Sequence, residues 1–194
     1  TLALVKDGSA KLTMSGGNIS YTGGTTINGG TLSIAADNGL GGASGPVTFN
    51  GGTLQVTTGF TLSGTRPVSL LTSGGTIDVA SGQALSMGNA ISGAGGLTKT
   101  SAGQLTLAAA SSYGGNTTIN GGIVRIDNAS ALSTGTVSVA SGASFEFWAP
   151  SAMTVGNNVV LNGFGPGAGR PALNQDGGAG KVTMTGTLTL NADS

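Results

Sequence analysis

The sequence contains no cysteine and no histidine. The first absence excludes disulfides and thiolate chemistry; the second removes His-based triads and the commonest metal ligand. Charge is scarce and balanced, with 7 basic and 7 acidic residues among 194. A net charge of zero gives no electrostatic hold on nucleic acid or on an anionic membrane. No apolar run approaches the ~18 residues of a membrane-spanning helix, so no membrane insertion of this segment is expected. The sequence shows no leader pattern and begins and stops inside its own periodicity, as expected of a piece of a longer repeat protein. Glycine is plentiful, at 38 residues. The apolar fraction of 38 % sets the chain apart from disordered linkers, which are poor in hydrophobes.

Glycine carries the organisation. The pattern Gly-Thr-apolar-x-apolar occurs at Gly30-Thr31-Leu32-Ser33-Ile34, Gly52-Thr53-Leu54-Gln55-Val56 and Gly75-Thr76-Ile77-Asp78-Val79. Related copies begin at Gly96, Gly122, Gly142 and Gly186. A step of roughly 20–26 residues is the signature of a solenoid. Within each step apolar and polar residues alternate, as in Leu12/Met14, Val47/Phe49, Leu105/Leu107 and Val137/Val139. That is strand periodicity with one face buried. Antiparallel hairpins would pair neighbouring runs, whereas a coil pairs each run with its counterpart one period on. The stacked Gly-Thr-Leu columns favour the coil. The expected fold is all-β: a single-stranded right-handed parallel β-helix of about 8–9 rungs, some 40 Å long at ~4.8 Å per rung. Asn28, Asn50 and Asn120 fall at turns where they could form a ladder or serve each its own turn.

A longer period overlies the short one. KDGSAKLTM near the start answers KTSAGQLTL, and TTINGGTLSI answers TTINGGIVRI, about 92 residues on. The chain thus reads as one continuous segment, 1–194, holding cassettes at approximately 1–95 and 96–161 and an irregular continuation over 162–194.

The acids Asp7, Asp37, Asp78, Asp127, Glu146, Asp176 and Asp193 are scattered about one per rung, not gathered as acid/base catalysis requires. Asp37 and Asp127 hold matching places four rungs apart, too far to act on one bond. Counting from each rung glycine places Asp78, Lys99, Arg125 and Glu146 in one cross-rung column, either paired on a solvated face or forming a patch for a surface ligand. Alternation points Trp148 outward, either to stack on sugar or to pack beneath the glycine-rich 163–171 insertion. Tyr21 and Tyr113 recur at one cassette point, which suits a packing role. A threonine array that binds ice needs Thr-x-Thr on consecutive rungs, and the glycine-aligned rungs offer one Thr followed by Ser, Gln or Asp.

GLTKTSAGQLTLAAASSYGGNTTINGG resembles the passenger-associated repeat of bacterial autotransporters. Gly96, Leu97, Lys99, Gly103, Leu105, Leu107, Tyr113, Gly115, Thr117, Ile119, Gly122 and Val124 fill its pattern, and Lys6, Leu12, Met14, Tyr21, Gly23, Thr25, Ile27, Gly30 and Leu32 fill it again. Ser101 departs from it where glycine is usual. The resemblance implies a β-helix exported to the surface of a Gram-negative-type bacterium, with no catalytic residues, cofactor or metal. The expected function is a stiff extracellular spacer in adhesion or surface coating. The alternatives are a glycan- or surface-binding module, or a filament subunit joined through open solenoid ends. Expected partners are neighbouring repeats, head-to-tail copies, or host or surface glycans.

Overall fold

A computed structural model describes residues 1–15, 20–167 and 169–191. Every strand pairing in it is parallel, so the coil, not the hairpin, closes the fold. The chain winds through three faces in turn. The first sheet holds Leu4–Lys6, Thr25–Ile27, Val47–Phe49, Val68–Leu70 and Ile91–Gly93. The second is nine strands long, from Lys11–Met14 through Thr31–Ile34, Thr53–Val56, Gly75–Val79, Leu97–Thr100, Thr117–Ile119, Val137–Ala140 and Val159–Asn162 to Leu188–Asn191. The third runs from Phe60–Leu62 through Ala84–Met87, Gln104–Leu107, Gly122–Ile126 and Ala143–Trp148 to Leu173–Gly177. Met153–Val155 and Val182–Met184 pair separately, in the place in the turn that the first sheet holds earlier.

Alternation puts one side chain in two inside. Along the long sheet the register aligns Leu12, Leu32, Leu54, Ile77, Lys99, Ile119, Val139, Leu161 and Leu190 in one inward column. Leu32, Ile77, Ile119 and Val139 are essentially inaccessible to solvent. Burial of each such side chain stabilises by roughly 1.5–3 kcal/mol. Leucine, isoleucine and valine fill every place in this column but that of Lys99, as suits a pleated surface packed on one side.

The two cassettes do not lie on the same faces. Leu4–Lys6 pairs with Thr25–Ile27 in the first sheet, whereas the matching Leu97–Lys99 pairs with Thr117–Ile119 in the long sheet. The second copy is therefore displaced by one face around the axis. Val124 and Ile126 consequently stack on Leu105 and Leu107 in the third sheet, not on Ile77 and Val79. Glycine counting alone aligns them with the latter pair, because it treats every glycine-led strand as returning to the same face.

Candidate functional site

Each cassette opens on a lysine that the fold buries. Lys6 lies in the inward column of the first sheet, in register with Ile27, and its ammonium donates to the carbonyls of Asp7 (2.6 Å), Gly8 (3.0 Å) and Gly29 (3.1 Å). Lys99 does the same with Thr100 (2.7 Å), Ser101 (2.8 Å) and Gly121 (3.3 Å). Each ammonium has three donors, and three carbonyls receive them. The clamp ties a lysine-bearing turn to the Asn-Gly-Gly turn one rung on. The second glycine of that turn is obligatory. Gly30 and Gly122 have φ of +59° and +65°, a region that side chains disfavour. A Cβ on Gly30 would also stand 2.7 Å from Lys6 Nζ.

Burial pushes the Lys99 ammonium down to about 8, with the nearby Asp78 charge pulling the other way. Beside each clamp a buried tyrosine meets a buried threonine: Tyr21 OH with Thr25 Oγ1 at 2.6 Å and Tyr113 OH with Thr117 Oγ1 at 2.5 Å. Burial raises both phenols, Tyr113 to about 12, against the lowering effect of the threonine hydrogen bond. TTINGG therefore recurs because one strand-and-turn unit must supply the threonine hydroxyl, the inward isoleucine and the left-handed glycine together.

The charges singled out by glycine counting do not form one column. Lys99 is 0 % exposed and points into the core. Asp78 faces outward on the long sheet, between Gln55 and Thr100. Arg125 and Glu146 are neighbours on the third sheet, but they do not pair. Arg125 binds Asp127 at 3.0 Å. Glu146, wholly buried, accepts from Arg170 at 2.6 Å and from Ser144 at 3.1 Å, and its other oxygen has no partner. Trp148, 39 % exposed, is held between Arg125, 5.4 Å from its ring centroid, and Gly177, where a Cβ would collide with the indole. It packs on this pair.

Arg66 gave no signal in the sequence because it belongs to neither cassette motif. Its guanidinium is fully buried and grips both Asp37 oxygens (3.1 and 3.0 Å) and the carbonyls of Leu40, Gly41 and Gly45. It caps the short 3-10 turn Asp37–Leu40 from the rung above. Asn89 does related work at the same corner and Asn157 at the corner between Met153–Val155 and Val159–Asn162, their amides donating to Ser63 and Arg66, and to Leu132, Ser133 and Gly135. Asn28 links Asp7 (2.7 Å) to Asn50 (3.4 Å) in a short exposed ladder. Asn120 is not part of it, because the face shift places it between Thr100 and Ala140. Asp193 lies outside the described residues.

The outer face of the long sheet has a different character. Its register stacks Thr31, Thr53, Thr76, Thr98, Thr118 and Ser138 on consecutive rungs. A groove of about 280 Å³ runs beside this column, walled by the turn at Thr72 to Gly74 and by Asn116.

Two stretches, 4–34 and 97–126, match the family model of the passenger-associated-transport-repeat. They are the two clamp-bearing units just described. The chain is also similar to the adhesin BmaC autotransporter of Brucella suis biovar 1 (strain 1330), with 35 % identity over 127 residues. That match covers 65 % of this chain and 4 % of the adhesin, so the chain spans a small fraction of that relative's length. No solved structure matches. The chain thus carries two copies of the passenger-associated-transport-repeat on one continuous parallel β-solenoid.

Proposed function

We propose that this chain is a non-catalytic structural segment of a secreted or cell-surface protein of a Gram-negative-type bacterium, acting as a stiff spacer in adhesion or surface coating. The observation that carries this reading is the uninterrupted nine-stranded sheet, locked at both cassettes by buried cation clamps. A rod with hydrogen bonds along its axis resists bending and leaves proteases few exposed strands. Four of the carboxylates support the non-catalytic role, because each is engaged by a partner within the protein. Asp37 is held by Arg66, Asp127 by Arg125, Glu146 by Arg170 and Asp7 by Asn28. The adhesin relative supports the surface setting.

Its partners on this reading are further repeats of the same polypeptide stacked on the end strands, with head-to-tail copies as the other occupant. Leu190 continues the inward column yet is 69 % exposed, and Leu188 beside it is 44 % exposed. An open strand edge with apolar side chains is a template for another strand.

The spacer role is tested by placing the 194-residue chain between a membrane anchor and an epitope. The epitope should rise by about 40 Å, as nine strands at ~4.8 Å require, read as an energy-transfer distance from the membrane. A broad distribution of shorter distances would show a flexible tether and defeat the proposal.

A further inference from the structure

The sequence holds five Asn-Gly pairs, beginning at Asn28, Asn38, Asn50, Asn120 and Asn162. An asparagine before glycine can react with its own backbone, because no Cβ on the following residue shields that amide nitrogen. The fold obstructs this route at four of the five. Gly39 and Gly51 donate their amides to the carbonyls of Ala36 (3.0 Å) and Gly74 (2.7 Å). Asn162 donates to Ser138 Oγ and to the Val139 carbonyl and accepts from Asn191. Asn28 is held by Asp7 (2.7 Å) and Asn50 (3.4 Å), and the Gly29 amide donates to the Lys6 carbonyl at 3.3 Å. Asn120 stands in the same TTINGG sequence as Asn28, yet it is exposed. Among the described residues, neither its side chain nor the Gly121 amide has a hydrogen-bond partner. The face shift is the cause: the places that Asp7 and Asn50 hold beside Asn28 fall to Thr100 and Ala140 beside Asn120.

We propose that Asn120-Gly121 is a self-modification site whose reaction loosens the second lysine clamp. The Gly121 nitrogen attacks Asn120 Cγ. The new C–N bond closes a cyclic imide, and the side-chain nitrogen leaves as ammonia, carrying the proton that the Gly121 amide gives up. Solvent water then opens the imide at either carbonyl, leaving aspartate or isoaspartate at position 120. The attacking group is the deprotonated amide, so a carboxylate hydrogen-bonded to the Asn28 side chain opposes the same step there by charge as well as by fixing the side chain. The isoaspartyl product routes the main chain through Cβ and lengthens the turn. The Gly121 carbonyl accepts from Lys99 Nζ at 3.3 Å, the longest of that clamp's three contacts, so the displaced turn gives up one arm of the clamp. The Lys6 clamp, built on Asn28-Gly29, stays intact. The site lies on the side of the solenoid and not on its end strands, so this inference stands or falls apart from the spacer role.

The test is a peptide map by mass spectrometry of the whole 194-residue chain, sampled while it is held folded in warm, mildly alkaline buffer, with isoaspartate read by enzymatic methylation. Asn120 should lose its amide several-fold faster than Asn28, although the two lie in identical hexapeptides, and faster than the other three pairs. In urea the rates at Asn120 and Asn28 should converge, because the difference belongs to the fold. Asp7→Thr gives the first copy the second copy's side-chain type beside its asparagine, and should speed the loss at Asn28. Gly121→Ala puts a Cβ beside the attacking nitrogen and should slow the loss at Asn120; if that variant fails to fold, Asp7→Thr and the parent comparison still decide. The modified fraction, separated by its added negative charge, should melt at a lower urea concentration than the parent. The inference is overturned if Asn28 or another pair reacts as fast as Asn120 in the folded chain, if the Asn120 to Asn28 ratio is unchanged by unfolding, if Asp7→Thr leaves Asn28 as slow as before, or if the modified fraction melts with the parent. None of these outcomes touches the distance measurement that tests the spacer.

Discussion

At the scale of single residues, the two cassettes offer a comparison that the chain performs on itself. Gly8 and Ser101 follow the clamp lysines at the same interval and take the same left-handed conformation, with φ of 69° and 60°. Both carbonyls accept from the clamp ammonium. Glycine takes that conformation freely, whereas serine must hold its Cβ against the following carbonyl, at a cost of roughly 1–2 kcal/mol. Glycine loses part of this advantage through its greater freedom in the unfolded chain. Ser101→Gly should therefore stabilise the protein by about 1 kcal/mol, measured as a higher urea midpoint with an unchanged slope. A lower midpoint would mean that the serine hydroxyl contributes something the backbone comparison misses.

At the scale of strand and turn, the clamp is a cation placed where its neighbours are apolar. Lys99→Met would fill the column but leave the carbonyls of Thr100, Ser101 and Gly121 short of a donor, a loss of about 1–3 kcal/mol near pH 7. The lysine also adds a pH dependence. Its folded value, about 8, lies below its ordinary 10.5. Between those limits the unfolded chain holds the proton and the folded one releases it, so stability rises with pH. The gain is complete above 10.5 and is lost as pH falls through 8. Tyr113 works in the opposite sense: its folded value, about 12, lies above its ordinary 10.0, so its contribution declines as pH climbs from 10 to 12. The window from pH 8 to 10 therefore isolates the lysine. Urea melts across it should show the parent gaining stability relative to Lys99→Met; parallel curves would mean that Lys99 does not release its proton in the folded state.

The same strands show how much was legible in the sequence. The inward columns through Leu32, Leu54 and Ile77 followed from alternation, which depends only on which neighbours are apolar. The position of Lys99 did not follow, because a lysine in a strand ordinarily faces water and the carbonyl cage that reverses this forms only when two turns meet across a rung. Its recurrence with Lys6, each followed two residues later by a left-handed residue, was the available signal. The face assignment was hidden for another reason. A TTI strand looks alike on any face, and its face depends on how many corners the chain has turned before it. Arg66 was hidden because its partners are backbone carbonyls of Leu40, Gly41 and Gly45, which carry no side-chain signature.

At the scale of the whole molecule, a solenoid is held by contacts between successive turns, so a turn can be removed without disturbing those beyond its neighbours. The register identifies where to cut. Ile77 and Lys99 are partners in the long sheet, so excising residues 77–98 joins Thr76 to Lys99 and removes one circuit of the coil. Lys99 would then stack on Leu54, and Leu105 and Leu107 would come onto Phe60–Leu62, whose present partners are Leu85 and Met87. Both lysine clamps survive, as does the Arg66–Asp37 pair. What is lost is one turn of buried side chains and Asn89, which caps Ser63 and Arg66. The shortened chain should fold cooperatively, with lower stability and a long axis reduced by about 4.8 Å, measurable by solution scattering. Excising residues 77–87 instead removes two of the three faces of a circuit. The chain would pass from Thr76 almost directly into Ile91–Gly93, and every later strand would reach the wrong face with its apolar side chains out of column. That variant should fail to fold. If both excisions fold equally well, the three-faced register does not govern stability, and the single-circuit description of this solenoid is wrong.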